Sequence, residues 1–153
     1  MIDPHQLHEK IEPFLKKLGE GIDATSVWMC HHNFEQRVSI VVSGCTMRTA
    51  NMIESDEDIG AKFPETDGSQ VWVWLRSSKP EPYVIHVDEL ARNDPDRLEY
   101  INGGTWSVLF LPVFKSGATW GYIEIWESRE KRHFTAEDIR AAKAIIEEIV
   151  LLL

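Results

Sequence analysis

WSVLFLPVF, KSG, ATWGYIEIW, ESREKRH, FTAEDIRAAKAIIEEIVLLL: residues 106–153 read as strand, tight turn, strand, loop and capped helix. In the first strand Trp106, Val108, Phe110, Pro112 and Phe114 share one parity, and Ser107, Leu109, Leu111 and Val113 the other. Both sets are largely apolar, so protein is expected to cover both faces. Lys115-Ser116-Gly117 supplies the turn, with Gly117 free to take positive φ. The return strand sets Trp120, Tyr122, Glu124 and Trp126 against Gly121, Ile123 and Ile125. Glu124 is out of place on its aromatic face, where a carboxyl needs solvent or a partner. Thr135 and Asp138 have the spacing of a capping box, and Phe134 and Ile139 that of a hydrophobic staple. Ile139, Ala142, Ile146, Ile149 and Leu153 continue as an apolar stripe at helical spacing. The segment holds no nucleophile, metal cluster or phosphate loop.

Upstream, Asp3-Pro4 suits a helix start, with Leu7, Ile11, Phe14, Leu15 and Leu18 as its apolar stripe. Pro13 is expected to kink or split that helix, and Gly19 and Gly21 to end it. Thr25–His32 and Arg37–Gly44 read as strands joined by a turn at Asn33–Gln36, with Val38, Ile40 and Val42 opposite Ser39 and Ser43. Residues 45–68 are irregular, with a short helix around Thr49–Glu54. Ser69–Ser77 reads as a helix capped by Ser69 or Asp67 and stopped by Pro80 and Pro82. Tyr83–Val87 is a short strand, and Asp94-Pro95 opens a helix that runs to Gly103-Gly104. Antiparallel strands with interposed helices predict an α+β domain.

The 153 residues suffice for one domain with a substantial core. A formal net charge of -9 argues against a nucleic-acid binder. The acidic stretches Glu54–Asp58 and Asp88–Asp96 read as solvated loops. No apolar leader or membrane-length run is present, and two cysteines, Cys30 and Cys45, are too few for a disulfide scaffold. A cytoplasmic protein with free thiols is the simplest expectation.

The residues LPVFKSGATWGYIEIWE and HFTAEDIRAAKAIIEEI resemble the closing segment of the GAF domain family. Pro112, Gly121, Ile123, Phe134, Thr135 and Asp138 carry the likeness, and SSKPEPYVIHVDEL is similar to the family's middle segment. The resemblance covers nearly the whole chain as a single domain, 1–153. It implies a central antiparallel sheet with the terminal helices, 1–20 and 135–153, on one face. The middle helices and loops would enclose a small-molecule pocket on the other. It also implies a homodimer that reports through its terminal helices to a kinase or other output domain, in cis or in trans. The chain would then be an excised sensor or a stand-alone regulator. Leu7, Ile11, Phe14, Ile146, Ile149 and Leu153 are the expected dimer or output contact.

Six tryptophans are available to line a pocket or fill a core: Trp28, Trp72, Trp74, Trp106, Trp120 and Trp126. Trp72 and Trp74 are the best pocket candidates, because the helix bearing them borders the pocket in this family. Two residues apart on a helix, they point to different sides, so one at most faces a ligand. Trp106, Tyr122, Cys45, Arg48 and Arg76 complete the pocket candidates; an arginine at the rim would hold a carboxylate or phosphate.

Cys30 and His32 share a strand face, yet no fourth metal ligand is evident, so neither metal nor cofactor is expected. The family's methionine sulfoxide reductases use a cysteine pair on a loop over the pocket, a pattern not matched here. Cys30-His31 lies in the first strand, away from the place of the family's chromophore-attaching pair. Phe134 and Asp138 fit part of a cyclic-nucleotide motif, but Ile139 stands where that motif has Glu. The competing expectation is a dimerisation scaffold whose pocket is filled by Trp72 and Trp106.

Overall fold

The computed structural model describes residues 2–50 and 58–153. In chain order it runs α1 (Pro4–Gly21), β1 (Ser26–Asn33), β2 (Val38–Thr46), β3 (Lys62–Pro64), α2 (Gln70–Leu75), β4 (Tyr83–His86), a 3-10 turn (Val87–Glu89), α3 (Pro95–Asn102), β5 (Ser107–Lys115), β6 (Ala118–Glu127) and α4 (Ala136–Val150). The strands form one six-stranded sheet in the order β3-β2-β1-β6-β5-β4, with every pairing antiparallel. This is the α+β architecture that the strand–strand–helix ending predicts.

Two apolar clusters cover the two faces of the sheet. On one face Ile11, Leu15 and Leu18 of α1 and Ala142, Ile146 and Ile149 of α4 meet Val27, Met29, Leu111, Ile123 and Ile125. On the other, Val71 and Leu75 of α2 and Tyr100 of α3 meet Trp28, Val108, Phe110 and Tyr122. The parity of β5 and β6 thus sorts one set of side chains to each cluster. Burial of each large aliphatic side chain contributes roughly 1.5–3 kcal/mol.

Local chemistry sets the ends. Asp3 accepts from the backbone N–H groups of His5 and Gln6, with Pro4 at the first helical position. Thr135 and Asp138 close the reciprocal capping box. Ser116 and Gly117 both take positive φ, 53° and 79°, in the two-residue hairpin loop between β5 and β6. That geometry matches the twist of the paired strands.

Several local expectations give way. Pro13 lies inside a helix assigned without a break from Pro4 to Gly21. One missing N–H is outweighed by the wholly buried Ile11, Leu15 and Leu18 around it. A bulge between β1 and β2 pairs Met29 with Ser43 and Cys30 with Val41, leaving Val42 over. Ile40 and Val42 keep to the α1–α4 side with Val41 on the other, but the extra residue leaves Ser43 on the α1 side as well, opposite Met29 and 2.9 Å from His8 of α1, so simple alternation fails at Ser43. The three-residue strand β3 is too short to show a period. α2 is shorter than Ser69–Ser77. Most of the helix expected around Thr49–Glu54, and of the acidic run up to Asp58, lies outside the described residues. Asp96 is buried and not solvated, accepting from Ser69 Oγ and from the backbone N–H of Gln70 at 3.1 Å.

The terminal helices also differ from expectation. Ile11 and Ile149 are wholly buried and Ile146 nearly so, all within the chain's own core. They are spent on the sheet and are not free for a second subunit. Leu7, Phe14 and Leu153 are half-buried against the same cluster, and Leu151 is 87% exposed. Glu127, buried at the end of β6, pairs with Arg129 at 2.7 Å and Arg132 at 3.5 Å. Arg132 also donates to the carbonyl of Ile22 and to Asp138, joining the end of α1 to the start of α4.

Candidate functional site

Between the sheet and helices α2 and α3 lies a cavity of about 220 Å3. It exists because strand parity points Trp28 and Cys30 of β1 and Tyr122, Glu124 and Trp126 of β6 to one face. Gly44, opposite Trp28 on β2, leaves room for that indole; a Cβ there would come within 2.2 Å of it. Trp72 projects from α2 and Tyr100 from α3 into the same space. The rings cross at steep angles: Trp28 on Trp126 at 6.3 Å and 60°, Tyr100 on Trp126 at 5.6 Å and 80°, Trp72 on Tyr122 at 6.2 Å and 77°.

Four carboxyl groups reach the cavity: Asp58, Asp96, Glu99 and Glu124. No lysine, arginine or histidine lines it among the described residues. Glu124 accepts a hydrogen bond from the Tyr100 hydroxyl. Burial, with the charge of Glu99 added, pushes its carboxyl up to about 8, so it is largely protonated at neutral pH. The Tyr100 hydroxyl and then the nearby Trp126 indole N–H temper that rise, although the indole makes no hydrogen bond of normal geometry among the described residues. Partial burial and the nearby Asp96 raise Glu99 to about 7. Glu99 is exposed over much of its surface, so the buried Glu124 is the better-defined acid.

A second cluster props the wall bearing Trp72. His32 of β1 stacks on Trp72 at 5.4 Å and bonds to Ser39 at 2.8 Å and Glu65 at 3.0 Å. Glu65 also accepts from Arg37 at 2.7 Å and Arg76 at 2.8 Å. Burial alone would push the Glu65 carboxyl up; the hydrogen bonds from Arg76, Arg37 and His32 prevail and hold it below the usual range. Burial lowers His32 despite that carboxylate, so the ring is neutral at pH 7. The cluster is a structural clamp around α2.

The pocket candidates separate accordingly. Trp72 and Tyr122 line the cavity. Trp74, two residues on, points away, stacking on Tyr83 at 6.0 Å with its N–H on the carbonyl of Glu81. Arg76 is committed to Glu65 at the end of α2. Trp106 is 47% exposed, just before β5, and outside the cavity. Cys45 and Arg48 lie on the opposite side of the sheet, beside α1. The β1–β2 register causes this: Cys45 pairs with Val27, which faces α1, whereas Cys30 faces the cavity. Cys30 and Cys45 therefore sit on opposite faces, without the proximity a nucleophile and resolving thiol require. Burial, reinforced by Glu124, pushes the Cys30 thiol well up, away from a reactive thiolate. Among the described residues no three His, Cys, Asp or Glu groups converge as metal ligands.

Trp28, Tyr100, Trp126, Asp96 and Glu99 were not among the expected pocket residues. Parity with Cys30 and Tyr122 points to Trp28 and Trp126. Nothing in the local pattern places α3 over β6, so Tyr100 and its neighbours escape a reading of periodicity.

One antiparallel sheet, terminal helices on one face and a cavity under the middle helices on the other define the α+β architecture. The fold is that of GAF domains. The GAF domain of PixJ from Thermosynechococcus elongatus, in its blue-light absorbing form, is similar with a TM-score of 0.76 and 10% identity, over 97% of this chain and 84% of that one. The chromophore-binding domain of a bacteriophytochrome from R. palustris gives 0.66 and 13%, covering 91% of this chain; the present chain spans only 52% of its length. A domain assigned to a two-component sensor histidine kinase protein of Sinorhizobium meliloti gives 0.65 and 16%, over 94% of this chain and 88% of that one. No family model and no curated protein matches the sequence.

Proposed function

We propose that this chain is a GAF-type regulatory domain that binds a small molecule and reports its occupancy through α1 and α4. The enclosed aromatic cavity carries this reading. A dimerisation scaffold with a pocket filled by Trp72 and Trp106 fits less well, because Trp72 lines the cavity without filling it and Trp106 stands outside it. Strand β6 supplies a link between the faces. Tyr122, Glu124 and Trp126 meet the cavity, while Ile123 and Ile125 between them pack against the cluster of α1 and α4. A ligand that shifts β6 would bias those helices only through different affinity for two states.

A bound chromophore, as the bacteriophytochrome neighbour's description gives it, transfers poorly to this chain. About 220 Å3 is below the ~300–1,000 Å3 of clefts for drug-sized ligands. Cys30, the cavity thiol, is also a poor candidate for covalent attachment. The buried cysteines, on opposite faces of the sheet, favour a cytoplasmic, non-enzymatic role over a thiol reductase. No described helix is long and apolar enough to cross a membrane. A homodimer would use the outer edges of α1 and α4, with Leu7, Phe14, Leu151 and Leu153. The kinase neighbour favours an output domain in cis, or an equivalent partner in trans.

Native mass spectrometry and thermal melting against neutral, anionic and cationic small molecules test the reading. At least one class should bind and raise the melting temperature. Absence of binding across all three would overturn it. Sedimentation velocity tests the dimer.

A further inference from the structure

We propose that the cavity is a cage for an organic cation, a quaternary or protonated amine, with Glu124 as its counter-ion. This rests on the reading of the cavity as a ligand site and names the class of ligand.

Aromatic walls are the first feature that favours a cation. Trp28, Trp72, Tyr100, Tyr122 and Trp126 surround a space of about 220 Å3 and cross one another steeply. Several non-parallel π systems lining one space attract a cation from different directions. A flat neutral ligand would gain more from parallel walls on either side of it.

The second is charge. Every ionisable side chain assigned to the lining is acidic, and residues 51–57, NMIESDE, contain no basic residue in sequence. An anion would enter with no counter-charge, at a large desolvation cost. The chain's net charge of -9 also favours the approach of cations. A metal ion fits less well than an organic cation, since no three of these groups converge as ligands among the described residues.

The third is an unfinished acid. Glu124 is only 9% exposed, yet it lines the cavity and uses one oxygen, Oε1, for Tyr100. Its other oxygen accepts no hydrogen bond of normal geometry from the described residues. The adjacent, buried Trp126 N–H lies near that carboxyl but makes no hydrogen bond of normal geometry among the described residues. A ligand with a cationic head and a hydroxyl or carbonyl oxygen would satisfy both.

Binding must also move a proton. Glu124 faces Glu99, Asp96 and Tyr100 from α3, Cys30 from β1 and Tyr122 and Trp126 on its own strand, with Asp58 also on the cavity wall. None of these is a cation, so at neutral pH Glu124 keeps its proton. A permanent cation placed beside it favours the carboxylate, and the proton leaves to solvent.

Choline and benzyltrimethylammonium are the probes, with 3,3-dimethylbutan-1-ol as the uncharged isostere of choline and phenylacetate as the anion. Titration calorimetry of the full chain in buffers of different ionisation enthalpy reads affinity and proton release. At least one cation should bind, about tenfold or more tighter than the alcohol, and tighten at least about tenfold from pH 6 to pH 9 as Glu124 ionises. Glu124→Gln, isosteric with the protonated acid, should weaken cation binding about tenfold or more and abolish proton release. Equal or tighter binding of the alcohol or of phenylacetate would overturn the cation assignment and leave a ligand cavity standing. Cation affinity unchanged in E124Q would overturn the counter-ion. Failure of all four probes to bind overturns the cation assignment; the wider screen above then decides separately whether the cavity binds small molecules at all.

Discussion

The Tyr100 hydroxyl on α3 donates a hydrogen bond to the carboxyl of Glu124 on β6, joining a short helix to the central sheet at the edge of an aromatic cavity. Both side chains are buried. Glu124 is thereby a structural acceptor; burial and the charge of Glu99 keep it protonated, and the Tyr100 bond opposes that rise without reversing it.

Its pH dependence follows with a definite sign. The folded value of about 8 lies above the ordinary glutamate value of 4.5, so between the two the native state holds a proton that the unfolded chain has released. Stability from Glu124 is complete below about pH 4.5 and lost as pH rises through about 8. Urea unfolding from pH 5 to pH 9 should show this loss, of order a few kcal/mol, attenuated in Glu124→Gln. Identical profiles for the two proteins would refute the assignment.

Glu65 supports three elements through His32, Arg37 and Arg76. Glu65→Ala removes the shared acceptor and should cost about 1–3 kcal/mol. Because His32 stacks on Trp72, near-UV circular dichroism should change along with the unfolding midpoint. A large loss of stability with an unaltered tryptophan signal would separate the clamp from the cavity wall.

Ile149 distinguishes a core helix from a docking helix. Ile149→Ala should destabilise by about 2–5 kcal/mol, equally at low and high protein concentration. Leu151→Ala, at an 87% exposed position, should leave unfolding of the monomer nearly unchanged. A concentration-dependent effect of I149A would return that residue to an interface.

Gly121 pairs with His31 where β6 meets β1, and a Cβ there would fall 2.0 Å from the Cys30 carbonyl oxygen. Backbone cannot yield as a flexible side chain can. Gly121→Ala should therefore lower the melting temperature sharply, by roughly 1–3 kcal/mol or more of stability. Wild-type melting would show that the two strands can part without cost.

Both thiols are buried, and the Cys30 value is pushed well up. Iodoacetamide at pH 7.5 should leave the native protein largely unmodified and label two cysteines after denaturation. Rapid native alkylation of Cys30 would reopen a thiol-based activity.

The ending that decides the fold was legible because its information is local. Alternation in β5 and β6, a two-residue turn and the Thr135–Asp138 box each depend on neighbours a few residues away. Glu124 also stood out in sequence as a carboxyl on an aromatic face, although its partner did not. Pro13 and Ser43 misled because a buried stripe carried the helix past a proline and a bulge shifted parity within β2. Ile146 and Ile149 looked like a free apolar edge only because the sheet they cover lies far away in the chain.

By itself the sequence determined the α+β class, the parity of the central strands, the ends of the last helix and the absence of basic residues from 51–57. Tertiary structure alone decided that Tyr100 meets Glu124, that Cys30 and Cys45 part to opposite faces, and that Trp72 rather than Trp74 or Trp106 reaches the cavity. The physical reason is range. Hydrogen-bonded caps and strand alternation are set by adjacent residues, whereas a cavity is made by side chains from distant segments, and its charge and proton affinity exist only after water has been removed.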